Sequence, residues 1–332
     1  MCSVDEEAYF QSMQENLYDM ETAIEDGSAV SADIDRLINR MTLVTYDYNS
    51  RLDLPLFRAR FDSGFDKTDP NQFGYIHNIA AIQQFRYNKD QEAVLYTATY
   101  PATAYQVIES SRNGEAYFYL SVWSHKDNAR EFVLALNVND IGLRTGTTAA
   151  RFYNILRDNV GEGTSKLFYL TTLGRMLERP GKDYRFSSIL ASKIFENHDA
   201  LMTTSMKSNG SELNVTFNQC ATDNLLELKH VFRCEVPIDS HSIAYHVDEI
   251  GVPQGNAIEW HRWEIDIDSI DFTNQPSFPI SIVHLRTAIQ TGRGITQNVM
   301  CPNVNKALDD YHDGIVVFNG VRCFVSFMIR LL

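Results

Sequence analysis

Residues 94–107 read Val-Leu-Tyr-Thr-Ala-Thr-Tyr-Pro-Ala-Thr-Ala-Tyr-Gln-Val. The first half is rich in β-branched and aromatic residues and predicts a strand over Ala93–Ala98. The chain then feeds through Pro101 into a helix beginning near Ala102, and a strand-to-helix turn of this kind is a usual place for ligand groups. Outward from it lie further extended runs: LPLFRARF before it, EAYFYLSVW and EFVLALNV after it. Helical stretches follow near Thr147–Asn159 and Phe186–Glu196, and from Glu212 onward the chain is strand-rich again. Before all of these, Tyr9, Phe10, Met13, Leu17, Met20 and Ile24, then Ile34, Leu37, Ile38 and Met41, recur at three- and four-residue steps. That spacing predicts two amphipathic helices broken at Gly27-Ser28, the acidic residues Asp5, Glu6, Glu7, Glu15, Asp19 and Glu21 forming either a solvated face, the reading favoured, or a partner surface. The pattern is α+β: a helical N-terminal segment over residues 1–50, a central mixed domain over 51–235 and a strand-rich C-terminal region over 236–332.

The chain has 332 residues, with 43 Asp+Glu against 29 Lys+Arg and a formal net charge of −14. Such a balance excludes a broad phosphate-gripping surface for nucleic acid, which needs a Lys/Arg excess to release counterions, but it leaves room for a small phosphorylated ligand on a few arginines. The 5 cysteines are widely spaced without a CxxC pair, so reduced, buried thiols are expected. An acidic start, MCSVDEEAYF, does not resemble a signal peptide, and the apolar C-terminal stretch is interrupted by Asn319, Gly320, Arg322 and Arg330, so core strands rather than a membrane span are expected there. The expected location is the cytoplasm.

There is no P-loop, GxSxG elbow, HExxH helix or GxGxxG turn. Thr291-Gly292-Arg293-Gly294 reads as a turn. His241, His246, Asp248, Glu249 and His261 lie close in sequence, but alternating strands do not bring them together by necessity, and no metal site is expected. More informative are polar residues set in apolar strands. Arg58 and Arg60 alternate with Phe57, Ala59 and Phe61, so both arginines share one strand face. Such a pair is either a solvated edge or an anion clamp, since a guanidinium suits phosphate. Arg86-Tyr87-Asn88 then precedes the strand that holds Tyr96.

Read in order, these segments resemble the RES domain family. LFRAR looks like the family's first arginine strand. FRYN looks like its GRFN-type turn, with Phe85 in the place of the glycine. VLYTATYPATAYQV is similar to the family's LYLA-x-x-P-x-TA-x-x-EV segment, keeping Leu95, Tyr96, Ala98, Pro101, Thr103 and Ala104. HDALMTTSMKSNGSELNVTF looks like its DG-I-x-Y-x-S and N-L-x-L-F segments, with Asp199, Ser205, Asn214 and Phe217 matching and Ala200 replacing the glycine. The resemblance spans about Leu56–Phe217. It implies a mixed, mostly antiparallel sheet of ADP-ribosyltransferase-like type in a toxin of a bacterial toxin–antitoxin pair, with NAD as substrate, either broken at the nicotinamide–ribose bond by a glycohydrolase or phosphorylase or used to transfer ADP-ribose to a target, and an antitoxin protein as partner. Cleaving the nicotinamide–ribose bond develops an oxocarbenium-like ribose and needs a diphosphate clamp, an aromatic wall and a carboxylate near the sugar. By resemblance Arg58, helped by Arg60, Arg86 and Asn88, holds the nucleotide, Tyr96 lines the nicotinamide or ribose pocket, and Ser205 hydrogen-bonds substrate.

The departure from the family is at its glutamate, which falls on Val107. Gln106 precedes it and Glu109 follows by two residues, a helical step that turns the side chain by roughly 200°. A one-residue shift places Gln106 in the site, an amide without negative charge. Losing a carboxylate from such a transition state costs on the order of 3 kcal/mol, about a hundredfold in rate. The readings that follow are an NAD-cleaving enzyme, slowed or with its carboxylate relocated to a residue such as Glu92 or Glu115, and a catalytically inactive nucleotide-binding or protein-interaction module.

Overall fold

The computed structural model describes residues 4–26, 28, 31–40, 45–50, 55–61, 64–140, 143, 145–178, 184–208, 210–236, 247–262, 264–266, 284–291, 295–298, 315–318 and 321–328. In chain order the elements are helices α1 (Val4–Glu25) and α2 (Ser31–Arg40), strands β1 (Tyr46–Ser50), β2 (Leu56–Phe61) and β3 (Val94–Ala98), helix α3 (Pro101–Glu109), strands β4 (Tyr117–His125) and β5 (Phe132–Asn137), and helices α4 (Thr148–Val160), α5 (Ser165–Leu177) and α6 (Arg185–Phe195). Strands β6 (Ala200–Thr204) and β7 (Leu213–Asn218) and the short helix α7 (Gln219–Leu225) follow. Strands β8 (Leu226–Glu235), β9 (Val247–Gln254), β10 (Ala257–Arg262), β11 (Glu264–Asp266), β12 (His284–Thr291), β13 (Ile295–Asn298), β14 (Ile315–Phe318) and β15 (Val321–Met328) complete the chain. The class is α+β, as expected, and the strand pairing is mixed and mostly antiparallel, with β5–β6 and β11–β14 parallel. Among the described residues no helix is long and apolar enough to cross a membrane.

The chain forms two compact units. The first comprises Met1–Leu52, Tyr75–Thr99 and His125–Leu226. Its strands run in the order β1-β5-β6-β7-β3. A parallel pair cannot be closed by a hairpin, and α4, α5 and α6 supply the crossover from β5 to β6. One face of these strands is apolar, carrying the buried side chains Leu134, Leu136, Met202, Val215, Phe217 and Leu95. Helix α1 packs on α5, with Phe10 against Tyr169 at 5.5 Å between ring centroids and Leu17 wholly buried. The acidic face of α1 is not all solvated, because Glu7 Oε1 accepts from Ser165 N at 3.2 Å and from Ser165 Oγ at 2.5 Å. A carboxylate there meets the positive end of the α5 dipole, beside the Thr164 side chain that accepts from Leu167 N at 3.2 Å.

Helix α5 is buried almost all round, with Leu167, Tyr169, Leu170, Leu173, Met176 and Leu177 inside. Its Gly174 lets the helix lie against the end of β5: a Cβ there would stand 2.8 Å from Asn137 O and 3.3 Å from Asn139 N, both backbone atoms that cannot swing away. Gly174→Ala is therefore expected to destabilise the protein by about 1–3 kcal/mol despite alanine's better helix propensity, measured as a lower urea midpoint.

The second unit comprises Asp53–Gly74, Tyr100–Ser124 and Glu227–Leu332. It holds strands in the order β2-β4-β8-β9-β10, with α3 on β2, and a separate sheet in the order β11-β14-β15-β12-β13. Its core includes Phe73, Tyr119, Val231 and Ile258, with Phe65, Leu228 and Trp260 packed on them. Gly251 lies opposite Trp260 in the antiparallel β9–β10 pair, where a Cβ would fall 2.5 Å from Ile258 Cγ2 and 3.0 Å from the Trp260 ring. Arg233 lies 3.6 Å over the Tyr117 ring and bridges Asp248 at 2.5 Å and Glu249 at 3.6 Å.

Candidate functional site

In the first unit, β3 places Tyr96 directly opposite Thr216 of β7. The Tyr96 ring stacks on Tyr87, centroids 5.6 Å apart and planes 13° from parallel. Tyr87 comes from a loop folded on itself: Asn88 Nδ2 donates to Gln83 O and Lys89 O, each at 2.9 Å, Phe85 pairs with Asn88, and Gln84 N donates to Asp90 Oδ1 at 2.7 Å. The buried Tyr87 hydroxyl donates to the Glu178 carboxylate and lies 3.0 Å from Thr203 Oγ1 on β6.

Glu178 follows the last turn of α5 and is only 2% exposed. It also receives hydrogen bonds from the Thr203 side chain and the Met206 backbone. Burial pushes its pKa up, and the opposing pull of Arg86 and of these donors does not cancel that. Burial likewise raises Tyr96, with the Glu178 charge adding to it, and raises Tyr87 well above the usual phenol range. Both tyrosines are therefore neutral donors at physiological pH. Burial works against the charge on Arg86, but Tyr87, Glu178, Tyr96 and Tyr184 around it outweigh that, and its pKa is raised. The guanidinium is fixed by Nη1 donating to Leu177 O at 3.1 Å and by its place over the Tyr184 ring at 5.3 Å. Ser205 sits beside Met206, wholly buried, and its Oγ has no partner among the described residues. A buried hydroxyl left so costs about 1–3 kcal/mol unless water or a ligand meets it.

Of the residues expected from sequence, Arg86 and Tyr96 thus gather about Glu178, and Ser205 is the chain neighbour of Met206, whose amide binds that carboxylate. Asn88 shapes the loop that presents Tyr87. Arg58, Arg60 and Gln106 belong to the second unit. There Arg60 is used structurally, with Nη1 donating to Gln72 O at 2.6 Å and its guanidinium 4.2 Å over the Phe65 ring. Arg58 is half-buried, and its enclosed Nε has no partner among the described residues. Burial, and then the Arg60 charge, push its pKa down to about 10. Gln106, Val107 and Glu109 are half-buried along α3. Glu92 and Glu115 close local turns, accepting from Lys89 N at 2.9 Å and Asn113 N at 2.5 Å. Glu178 was not legible as a site residue, since nothing in Leu177-Glu178-Arg179 marks it.

His241, His246 and Arg293 lie outside the described residues; Asp248 and Glu249 bind Arg233, and His261 is 3.6 Å from Glu259. No group of metal-ligating side chains occurs among the described residues. Cys234 is buried as expected, whereas Cys220 is exposed on the short α7, its Sγ accepting from Asn224 Nδ2 at 3.3 Å.

The sequence matches no known family model, and no curated protein matches it. Among solved structures it is similar to a chain of the M. tuberculosis MbcT–MbcA toxin–antitoxin complex, with 10% identity and a TM-score of 0.28 over 60% of this chain and 90% of that one. A likeness of that size establishes neither family nor activity.

Proposed function

We propose that this chain is a RES-like protein, on a fold of ADP-ribosyltransferase type, that binds NAD at the Tyr96 side of its first unit and cleaves the nicotinamide–ribose bond slowly. The observation that carries the proposal is the gathering of Glu178, the Tyr87–Tyr96 stack, Arg86 and the unpartnered Ser205 hydroxyl in one unit. Glu178 supplies the carboxylate that is missing from α3. Its neighbours Tyr96 and Ser205 supply an aromatic wall and a hydroxyl for the sugar, and developing positive charge on the ribose is stabilised by the anion. The raised pKa of Glu178 lowers the anionic fraction, so turnover rises with pH across the range in which this carboxyl ionises. A protein partner of antitoxin type belongs to the same proposal, on the strength of the resemblance alone.

The test is nicotinamide release from NAD by purified protein. Wild type is expected to release nicotinamide, and Glu178→Gln, which keeps the shape and most hydrogen bonds, to lose about a hundredfold in rate with NAD affinity kept. Release by Glu178→Gln at the wild-type rate removes Glu178 from the chemistry. The second reading, binding without turnover, is favoured by the burial of Glu178 and by the three donors that hold it, Tyr87, Thr203 and Met206. It predicts a higher melting temperature with NAD or ADP-ribose and no nicotinamide.

A further inference from the structure

The two faces of the first unit's strands treat their polar groups differently. Opposed residues share a face, so the registers give one row of Asn137, Thr203, Asn214 and Ala98, and beside it a row of Ala135, Leu201, Thr216 and Tyr96. On the opposite, apolar face every threonine is satisfied: Thr97 Oγ1 donates to Val215 O at 2.6 Å, Thr99 Oγ1 to Leu213 O at 3.3 Å, and Thr204 Oγ1 accepts from Asn139 N at 3.0 Å. On the Tyr96 face, Asn137 Nδ2, Asn137 Oδ1, Asn214 Oδ1 and Thr216 Oγ1 are buried with no partner among the described residues, and Ser205, two residues beyond Thr203, continues the series. Asn137 and Thr216 are 0% exposed and Asn214 3%.

Buried amides and hydroxyls are nearly always paired, and orphans concentrated on one sheet face beside a stacked tyrosine pair ask for a common explanation. Strand spacing spreads them over roughly 10 Å across the sheet and about 7 Å along it, more than one water molecule spans. None is charged. Asn137 offers a donor and an acceptor, Asn214 an acceptor, and the hydroxyl of Thr216 either. The complement is a neutral group that carries several donors and acceptors at once.

We infer that Asn137, Asn214 and Thr216 form the floor that holds an uncharged polyhydroxylated group, a ribose if the first unit binds a nucleotide as proposed above. Tyr87, whose hydroxyl rests on Thr203 between the two asparagines of the row, is the side chain that must move off for the group to enter. These residues set specificity for the sugar, and Tyr87, in moving off, also leaves the Tyr96 ring and the Glu178 carboxylate. Since apolar side chains of similar size fill the same space, Thr216→Val and Asn214→Leu should fold with melting temperatures at or above that of wild type.

The experiment measures ADP-ribose affinity by calorimetry for wild type, Thr216→Val and Asn214→Leu, and follows the side-chain amide signals of Asn137 and Asn214 in asparagine-labelled protein with D-ribose as a second probe. Each variant is expected to weaken ADP-ribose about tenfold, the worth of one neutral hydrogen bond, and D-ribose is expected to shift both amide signals in wild type. Variants that melt higher and bind ADP-ribose as wild type does would overturn the inference, leaving these groups as hydrated core. If wild type does not bind ADP-ribose, the nucleotide reading fails, and D-ribose decides the floor alone: shifted amides uphold it, unmoved amides sink it.

Discussion

Glu178→Ala is expected to lower stability by about 3–5 kcal/mol, read from urea unfolding followed by near-UV circular dichroism. The substitution takes the acceptor from the Tyr87 hydroxyl, the Thr203 side chain and the Met206 amide, and it removes the anion that offsets the burial of Arg86. Breaking one side of a buried charge pair costs more than the pair itself contributes, because the remaining charge stays desolvated. The double variant Glu178→Gln with Arg86→Met, neutral on both sides and similar in volume, is therefore expected to recover most of the loss. Glu178→Gln alone, if as stable as the double variant, would show that the hydrogen bonds, not the charges, dominate. The pH dependence has a definite sign. The folded state holds the Glu178 proton more tightly than the unfolded chain, so the contribution of this carboxyl is greatest at acid pH and is lost as pH rises through its raised folded pKa. Glu178→Gln lacks that slope and should gain on wild type across the same interval.

Asp199→Ala carries the next largest loss, about 2–3 kcal/mol by the same measurement. Its carboxylate takes a bidentate pair from Arg130 at 2.6 and 2.7 Å and a third bond from Val133 N at 2.8 Å, which ties the start of β6 to β5. Arg130 is 59% exposed, so solvent screens much of the ion pair, and the larger part of the loss comes from the enclosed Val133 amide. Burial alone would raise the Asp199 pKa, but Arg130 and Val133 hold it below the usual carboxylate range. Its contribution is therefore full above the unfolded pKa of an aspartate and is lost as pH falls through the depressed folded value. Asp199→Asn should flatten the acid limb of the stability profile; an unchanged limb would assign acid unfolding to other groups.

Helices α1 and α2 and strands β2 and β3 were legible because each has one buried face, and the burial writes a period of 3.6 or 2 into the residues, whereas β4, buried on both faces, was legible by its aromatic and β-branched residues. Helix α5 was not. Packed on several sides at once, SKLFYLTTLGRML has no polar stripe to reveal its period. Strand β1, Tyr-Asp-Tyr-Asn-Ser, is as polar as a loop and is held by its pairing with β5. The site divides in the same way. Tyr96, Arg86 and Ser205 stand in segments that motif order picks out, whereas Glu178 meets Tyr87 across 91 residues of chain. The contrast between satisfied Thr97 and orphaned Thr216 depends on strand register, which single-sequence patterns do not carry.

Each compact unit is assembled from three separated stretches, and the second closes only with Glu227–Leu332. On a ribosome, β2 and β4 emerge long before β8, β9 and β10, so that unit waits, with the β4 edge unpaired, until those strands follow. The first unit, whose last segment ends at Leu226, can finish earlier. Vectorial synthesis therefore imposes an order of maturation, and a nascent chain stalled just past Leu226 would offer the Tyr96 face complete while β4, paired with β2, still lacks β8.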